Sequence, residues 1–313
     1  MTNAGHPLIA GHVSPDIDVL GSMLALVRSM PCEAPAISLP GASASQKLLF
    51  MRELAGHVPL AGLQHIENAD TFIVVDTATP KRIHVQGQWE AVADKFIVNI
   101  DHHITNSDFG SVNWVVDNAS STCELIYHLI RTADWPLDQV TASLLYAGIY
   151  ADTGGFSLPN ATPQAFEVAA ELVRAGADIE RLGAKLYRSQ APHEFELVRT
   201  VYHNTRLTGN KKVAYSTLSY DEIIKAGASP DDIDDQVSIP RSLSGIRTAI
   251  LFSEGQPGVV RINLRGENGT PVLPLAEILG GGGHTFSAGV RMRGDLNEVV
   301  RKVLHEANKL LDE

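Results

Sequence analysis

Acids and histidines recur together at four places in this chain. His12, Asp16 and Asp18 share the segment Gly11-His12-Val13-Ser14-Pro15-Asp16-Ile17-Asp18, and Asp76 closes the apolar run Phe72-Ile73-Val74-Val75. Asp101-His102-His103 closes Phe96-Ile97-Val98-Asn99-Ile100, and Asp152 follows the apolar stretch 144–149. Carboxylate oxygens mixed with a few imidazoles suit manganese or magnesium better than a thiolate-rich zinc site would. The candidate ligands outnumber what one ion needs. Two ions sharing a bridging carboxylate would use them all, acidify a bridging water and clamp a phosphoryl group for in-line attack. Taken singly, each residue has a plainer role: Asp16 or Asp18 as a helix N-cap, Asp76 as a turn residue, His102 as a core histidine. Their convergence on one rim is what predicts a metal centre.

That convergence requires particular elements. Residues 7–13, 71–76 and 95–100 read as buried strands rich in Ile, Val or Phe, and 20–30 and 46–54 have helical spacing. Strands alternating with helices imply right-handed crossovers and a mostly parallel sheet flanked by helices. Ligands of such sheets bind at the carboxyl ends of the strands, where three of the four clusters fall. Ser121-Thr122-Cys123-Glu124 is a capping-box pattern opening a helix to about residue 132. Helical patterns continue over 139–151, 163–175 and 179–187. The expected division is an α/β metal-binding catalytic domain at 1–187, a connecting helix at 188–207 and a substrate-binding domain at 208–313. The last reads as a smaller α+β domain with a mixed sheet. Its strands fall at 213–218, 247–253 and 259–264, the last two joined by the hairpin turn Glu254-Gly255-Gln256-Pro257-Gly258. A helix at 273–279, a strand near 288–292 and a final helix from 297 complete it.

Within that second domain, Gly280-Gly281-Gly282-Gly283-His284 follows a helix. Glycines can bring backbone N–H groups closer to an anion than any Cβ would allow. A helix C-cap needs one or two of them, so the run predicts a ligand loop of Gly281, Gly282, Gly283 and His284. Arg265, at the end of the hairpin strand, is a candidate phosphate clamp; a solvated edge-strand Arg fits the spacing equally well.

Composition bounds these readings. With 313 residues, 25 Lys and Arg against 36 Asp and Glu, and a net charge of −11, the chain is long enough for two cores. The acidic excess disfavours a groove for long duplex nucleic acid. It leaves small phosphorylated substrates open, because local cations can reverse the field within one cleft. The two cysteines, Cys32 and Cys123, form no CxxC pair and fit a reducing cytoplasm. Residues 1–7 lack a signal-peptide pattern, and no apolar stretch approaches the roughly 18 residues of a membrane span. P-loop, dinucleotide-binding and serine-hydrolase motifs are absent.

Asp101-His102-His103, taken with His12-x-x-x-Asp16-x-Asp18, Asp76 and Asp152, resembles the DHH phosphoesterase superfamily. Leu264-Arg265, the glycine run with His284, and Ala288-Gly289 resemble its DHH-associated C-terminal domain. The two-domain size is most similar to the branch of bacterial oligoribonucleases (nanoRNases) and phosphoadenosine-phosphate phosphatases. The resemblance implies two divalent metal ions, manganese foremost, with magnesium or cobalt as alternatives. One would sit on His12, Asp16 and Asp76, the other on Asp18, Asp76, His102 and Asp152, with Asp76 bridging. Asp101 would orient its neighbour, and His103 would stabilise the transition state or protonate the leaving oxygen. The C-terminal domain would close over the cleft, with Arg265, the glycine loop and His284 gripping phosphate or base.

The implied activity is hydrolysis of short oligoribonucleotides to mononucleotides, with 3′-phosphoadenosine 5′-phosphate to AMP as a second reaction, in the cytoplasm, and the resemblance is compatible with a homodimer. A cyclic dinucleotide phosphodiesterase is one alternative. A catalytically silent nucleotide sensor is another, against which the filled ligand positions argue. The chain departs from the usual pattern at Ser14, where Asn is common, at Ile17, where a small residue is common, and at Gly266, where Ser follows the Arg. None of these removes a ligand; the last bears on substrate preference.

Overall fold

The apolar runs at 7–10, 71–75 and 96–100 are too short for helices and too continuous for a sheet with one wet face. In the computed structural model they lie in the middle of a five-stranded parallel sheet. The structure describes residues 5–32, 35–39, 46–85, 95–188, 191–228 and 233–312, and of residues 234, 235, 284 and 312 the backbone alone. The chain divides into two units, Met1–Ser189 and Gln190–Glu313.

The first unit contains β1 (Pro7–Ala10), β2 (Ala36–Ser38), β3 (Thr71–Val75), β4 (Phe96–Asp101) and β5 (Val112–Val115), ordered β2-β1-β3-β4-β5. Its helices are α1 (Ile17–Ser29), α2 (Gln46–Ala55), α3 (Leu63–Asn68), α4 (Thr122–Thr132), α5 (Gln139–Asp152), α6 (Pro163–Arg174) and α7 (Ile179–Leu182). A π-helical turn, Gly183–Tyr187, continues α7. Alternate strand residues bury opposite faces. Ile9, Ile37, Ile73, Val75, Val98 and Ile100 pack with α1, α4 and α5 through Leu24, Ile126 and Leu145. Leu8, Ala10, Phe72, Val74 and Ile97 pack on the other side with Ile66 of α3, Ile83 and Val85. The register pairs Ala10 with Val74 and Val75 with Ile100, so the carboxyl ends of β1, β3 and β4 lie level. β2 and β5 carry no signal in the sequence: one has three residues, and the other is a partly exposed edge interrupted by Asn113.

The second unit is a mixed six-stranded sheet ordered β10-β11-β9-β8-β7-β6. Its strands are β6 (Arg206–Leu207), β7 (Val213–Leu218), β8 (Thr248–Gln256), β9 (Val259–Gly266), β10 (Gly282–His284) and β11 (Ser287–Arg293). Among the described strands only the β7–β8 pair is parallel. Its helices are α8 (Pro192–Asn204), α9 (Tyr220–Ala226), α10 (Ser238–Arg241), α11 (Leu273–Ile278) and α12 (Leu296–Asp312). One sheet face packs Ile250, Phe252, Ile262 and Val290 against α11 and α12.

Two sequence expectations are corrected here. The helix read as a connector at 188–207 is α8, and it packs within the second unit. Its Leu197 and Val201 are fully buried with Leu218, Leu251 and Ile223, because an i, i+4 apolar pair needs a partner surface and the sheet supplies one. The second half of the glycine run read as a loop lies in β10, paired with β11 in the register Gly282↔Gly289 and Gly283↔Ala288. No helix among the described residues is long and apolar enough to cross a membrane.

Candidate metal centre

The loop leaving β1 carries the first cluster. Asp16 is the N-cap of α1: Oδ1 accepts the Val19 amide at 3.0 Å, while Oδ2 lies 3.8 Å from His12 Nε2. The N-cap and cleft-facing roles thus coexist in one carboxylate. His12 is buried, with Nε2 3.5 Å from Asp76 Oδ2 and Nδ1 without a partner, so its polar interactions lie on the Nε2 side. Asp18, on the first turn of α1, is also buried. Its two oxygens accept the amides of Thr122 (2.8 Å) and Cys123 (2.9 Å) at the start of α4, whose N-cap is Ser121.

Asp76 leaves β3 in the left-handed region, at φ 50°. This conformation, tolerated by Asp and Asn far better than by most residues, turns the chain out of the sheet and leaves the carboxylate inside. Its Oδ1 lies 3.5 Å from His102 Nε2 and accepts the Thr122 hydroxyl at 3.1 Å.

Asp101, fully buried at the end of β4, accepts the His102 amide at 2.8 Å and faces His103 Nδ1 at 2.7 Å. His102 Nδ1 faces the Ala119 carbonyl at 3.3 Å, which puts a proton on Nδ1 and turns Nε2 toward Asp76 and Asp152. Asp152, read as following its helix, is the last residue of α5, with Oδ2 3.6 Å from His102 Nε2.

One ligand atom from each of His12, Asp16 and Asp76 falls within 4.8 Å of the others, as do those of Asp18, His102 and Asp152, and of Asp76, His102 and His103. Asp76 faces both His12 and His102. Burial lowers the proton affinity of His12, but Asp16 and Asp76 outweigh it and raise the pKa to about 9. His102 follows the same pattern, with Asp76, Asp18 and Asp152 carrying it to about 10 against burial. Burial would push Asp76 up, yet His102, His12 and His103 hold it well below the usual carboxylate range. Asp152 rises to about 6 through burial and the charges of Asp76 and Asp16, against the pull of His102. Asp18 is raised by burial and then by Asp76 and Asp152. In His103 the Asp101 hydrogen bond raises the pKa and burial opposes it.

Four carboxylates and two imidazoles turned toward one space, all but His12 held from behind by amides, hydroxyls or a carbonyl, fit divalent cations of the manganese or magnesium kind. The described residues satisfy the donor requirement without a thiolate: Cys123 is fully buried, its Sγ directed to the Asp18 carbonyl at 3.4 Å.

In the second unit the four glycines differ. Gly280, at φ 79°, follows the C-cap Leu279 of α11 and ends the helix. A Cβ on Gly281 would lie 2.2 Å from the Gly289 carbonyl oxygen, and one on Gly283 would lie 2.6 Å from Ala288 Cα. A Cβ on Gly280 or Gly282 would meet nothing within 4 Å, and of these two Gly280 is set apart by its positive φ. Arg265 is half-buried on β9, opposite Ser287 of β11. Gly266 has no room for a side chain: its Cβ would meet the Thr270 carbonyl oxygen at 2.0 Å, which accounts for the missing serine. Of His284 only the backbone is described.

Sequence reasoning missed three supporting residues. Asn106 Nδ2 lies 2.8 Å from Asn99 Oδ1 and 2.5 Å from Asp101 Oδ2, and Asn160 Nδ2 donates to Ser120 O and Asp152 O at 2.9 and 3.1 Å. Thr122 joins Asp18 to Asp76. Only Asn99, a polar residue inside the apolar β4, gave a legible hint. Glu124 takes the amide and hydroxyl of Ser120, one residue before the expected cap, while Ser121 Oγ accepts the Glu124 amide.

Residues 7–149 match the DHH family, N-terminal domain, and residues 210–313 match the DHHA1 domain. A curated relative from Thermus thermophilus, named as a bifunctional oligoribonuclease and PAP phosphatase NrnA, is 29% identical over 97% of this chain and 89% of its own length. Its namesake from Mycoplasma genitalium is 30% identical over 69% of this chain and 67% of its own. An exopolyphosphatase-related protein from Bacteroides fragilis superposes with a TM-score of 0.85 at 25% identity, covering 99% of this chain and 95% of that one. With both domains matched in order along its length, the chain belongs to the DHH phosphoesterase family.

Proposed function

We propose that this protein is a manganese-dependent phosphoesterase that hydrolyses short oligoribonucleotides to mononucleotides and converts 3′-phosphoadenosine 5′-phosphate to AMP. The observation that carries this reading is Asp76, which faces His12 on one side and His102 on the other, between two sets of candidate ligands. The names of the relatives from T. thermophilus and M. genitalium supply the substrate class. His12, Asp16 and Asp76 would hold one ion, and Asp18, Asp76, His102 and Asp152 the other. Such ions, when bound, supply Lewis-acid activation of water and neutralise charge on phosphate.

The chain's own residues do the rest. Asp101 fixes the His103 ring through Nδ1 and raises its proton affinity, so Nε2 carries a proton for the leaving oxygen. Asn106 holds Asp101 from the opposite oxygen. Arg265, Gly282 and His284 of the second unit bind the nucleotide; Gly281 and Gly283, by contrast, are needed for the close approach of β10 to β11. The net charge of −11 favours short substrates over long polyanions.

The test is a product time course with manganese-loaded protein on pApA, a pentanucleotide, a 20-mer, 3′-phosphoadenosine 5′-phosphate and cyclic di-AMP. Hydrolysis of the short linear substrates ahead of the 20-mer is expected. Absence of turnover on all the short linear substrates sinks the proposal, and faster cleavage of cyclic di-AMP than of pApA replaces it with a cyclic dinucleotide phosphodiesterase.

A further inference from the structure

Thr122 is fully buried at the first position of α4 and touches two candidate ligands at once. Its backbone amide donates to Asp18 Oδ2 at 2.8 Å, and its hydroxyl lies 3.1 Å from Asp76 Oδ1. A carboxylate oxygen only accepts, so the hydroxyl is the donor. The two carboxylates come from different elements, Asp18 from α1 and Asp76 from the end of β3. One residue therefore ties together the helix and the strand end that must present their oxygens at a fixed separation. The amide of Cys123 takes the second Asp18 oxygen at 2.9 Å, which fixes the plane of that carboxylate. Among the described residues, Asp76 has no comparable pair of backbone amides on its carboxylate. Beyond the facing histidines, the Thr122 hydroxyl is the group among the described residues that orients it.

We propose that Thr122 is a positioning residue that locks Asp18 and Asp76 into one frame and so sets the affinity of the centre for divalent cations. This rests on the reading of the centre as a metal site. Groups that orient metal ligands from behind typically change metal affinity 10–100-fold when removed. The hydroxyl does this at Asp76, which faces both His12 and His102, so its loss weakens uptake at both ligand sets.

The test uses Thr122→Val, which keeps the amide bond to Asp18 and the β-branched shape but deletes the hydroxyl, and Thr122→Ser, which keeps both donors. Manganese is titrated calorimetrically into metal-free full-length protein, with circular dichroism and a melt in chelator checking the fold. Thr122→Val is expected to bind manganese about 10–100-fold more weakly than wild type, and Thr122→Ser within about threefold of it. Should Thr122→Val fail to fold, Thr122→Ala carries the same expectation. A folded hydroxyl-free variant with wild-type affinity overturns the inference, as does a Thr122→Ser protein as weak as Thr122→Val. If wild type takes up manganese in a Thr122-dependent way yet cleaves none of the nucleotides above, the substrate reading fails and this inference stands. If wild type takes up no divalent cation, both fall.

Discussion

At the acid–histidine rim of the first unit, most side chains work at two ends. Asp16 caps α1 with one oxygen and faces His12 with the other, and His102 is tied at Nδ1 to a carbonyl while Nε2 faces two carboxylates. The glycine strand of the second unit is different. Gly281 and Gly283 are needed to let two backbones approach, Gly280 ends a helix at a positive φ, and Gly282 is the ordinary-backbone position with open space beside it. Chemically diverse residues converging from distant segments have little reason to meet except function. A run of one residue type often has a packing reason, and each member must be tested separately.

Substitution at the rim should break this contrast most severely. Asp76→Asn keeps a residue tolerant of the left-handed backbone but removes the charge facing both histidines. We expect turnover of pApA to fall at least about 10³-fold, together with weakened manganese binding, by initial rates and calorimetry. Retention of a tenth of the activity would show that Asp76 is not shared. His103→Gln is expected to lower kcat about 10²-fold while leaving manganese affinity near wild type; parallel loss of metal would make His103 a ligand instead of a proton carrier.

The glycines sharpen the comparison. Gly281→Ala forces a methyl into a backbone carbonyl and should cost about 1–3 kcal/mol in a denaturant melt. Gly282→Ala should leave the melt unchanged and raise KM for pApA a few-fold. If the two variants melt alike, the division between packing and ligand-facing glycines is mistaken.

The smallest expected effect is in the pH dependence of metal stabilisation. The folded pKa of His12 is raised from 6.5 to about 9, so its contribution to metal-free stability is complete below pH 6.5 and is lost as pH rises through 9. His102, raised to about 10, acts in the same direction. Cations compete with these protons, so their hold strengthens over the same range. The Tm difference between manganese-loaded and chelator-treated protein should widen by a few degrees from pH 6.5 to 9. A constant gap would mean that protons and metal do not compete for these histidines.

Much of this was legible in the residues themselves. The apolar runs ending in Asp76 and in Asp101-His102-His103 announce buried strands whose ends carry chemistry, because a parallel sheet covered on both sides leaves its strands little polar choice until they stop. Residues 36–38 and 112–115 gave no such warning, being too short or too exposed for a pattern. The supporting residues were silent for another reason: Thr122 bonds Asp18 and Asp76 across 104 and 46 positions of sequence, Asn160 bonds Ser120 and Asp152 across 40 and 8, and Asn106 bonds Asn99 and Asp101 across 7 and 5 without a regular element between them. No local spacing encodes such partners. Helix α8 was read with the right period and given the wrong neighbour, since an apolar stripe says that a helix must pack and leaves open what it packs on.

The backbone of Asp76 carries an implication for how this centre can change by mutation. At φ 50°, the residues that fit without added strain are Gly, Asn and Asp. Glu, the other carboxylate, lacks the short side-chain acceptor that makes this conformation easy, and it would move its oxygens outward by a methylene. The main chain thus narrows the accessible alternatives to neutral ones, so that drift at this position leads toward an inactive but well-folded protein instead of toward a different metal geometry.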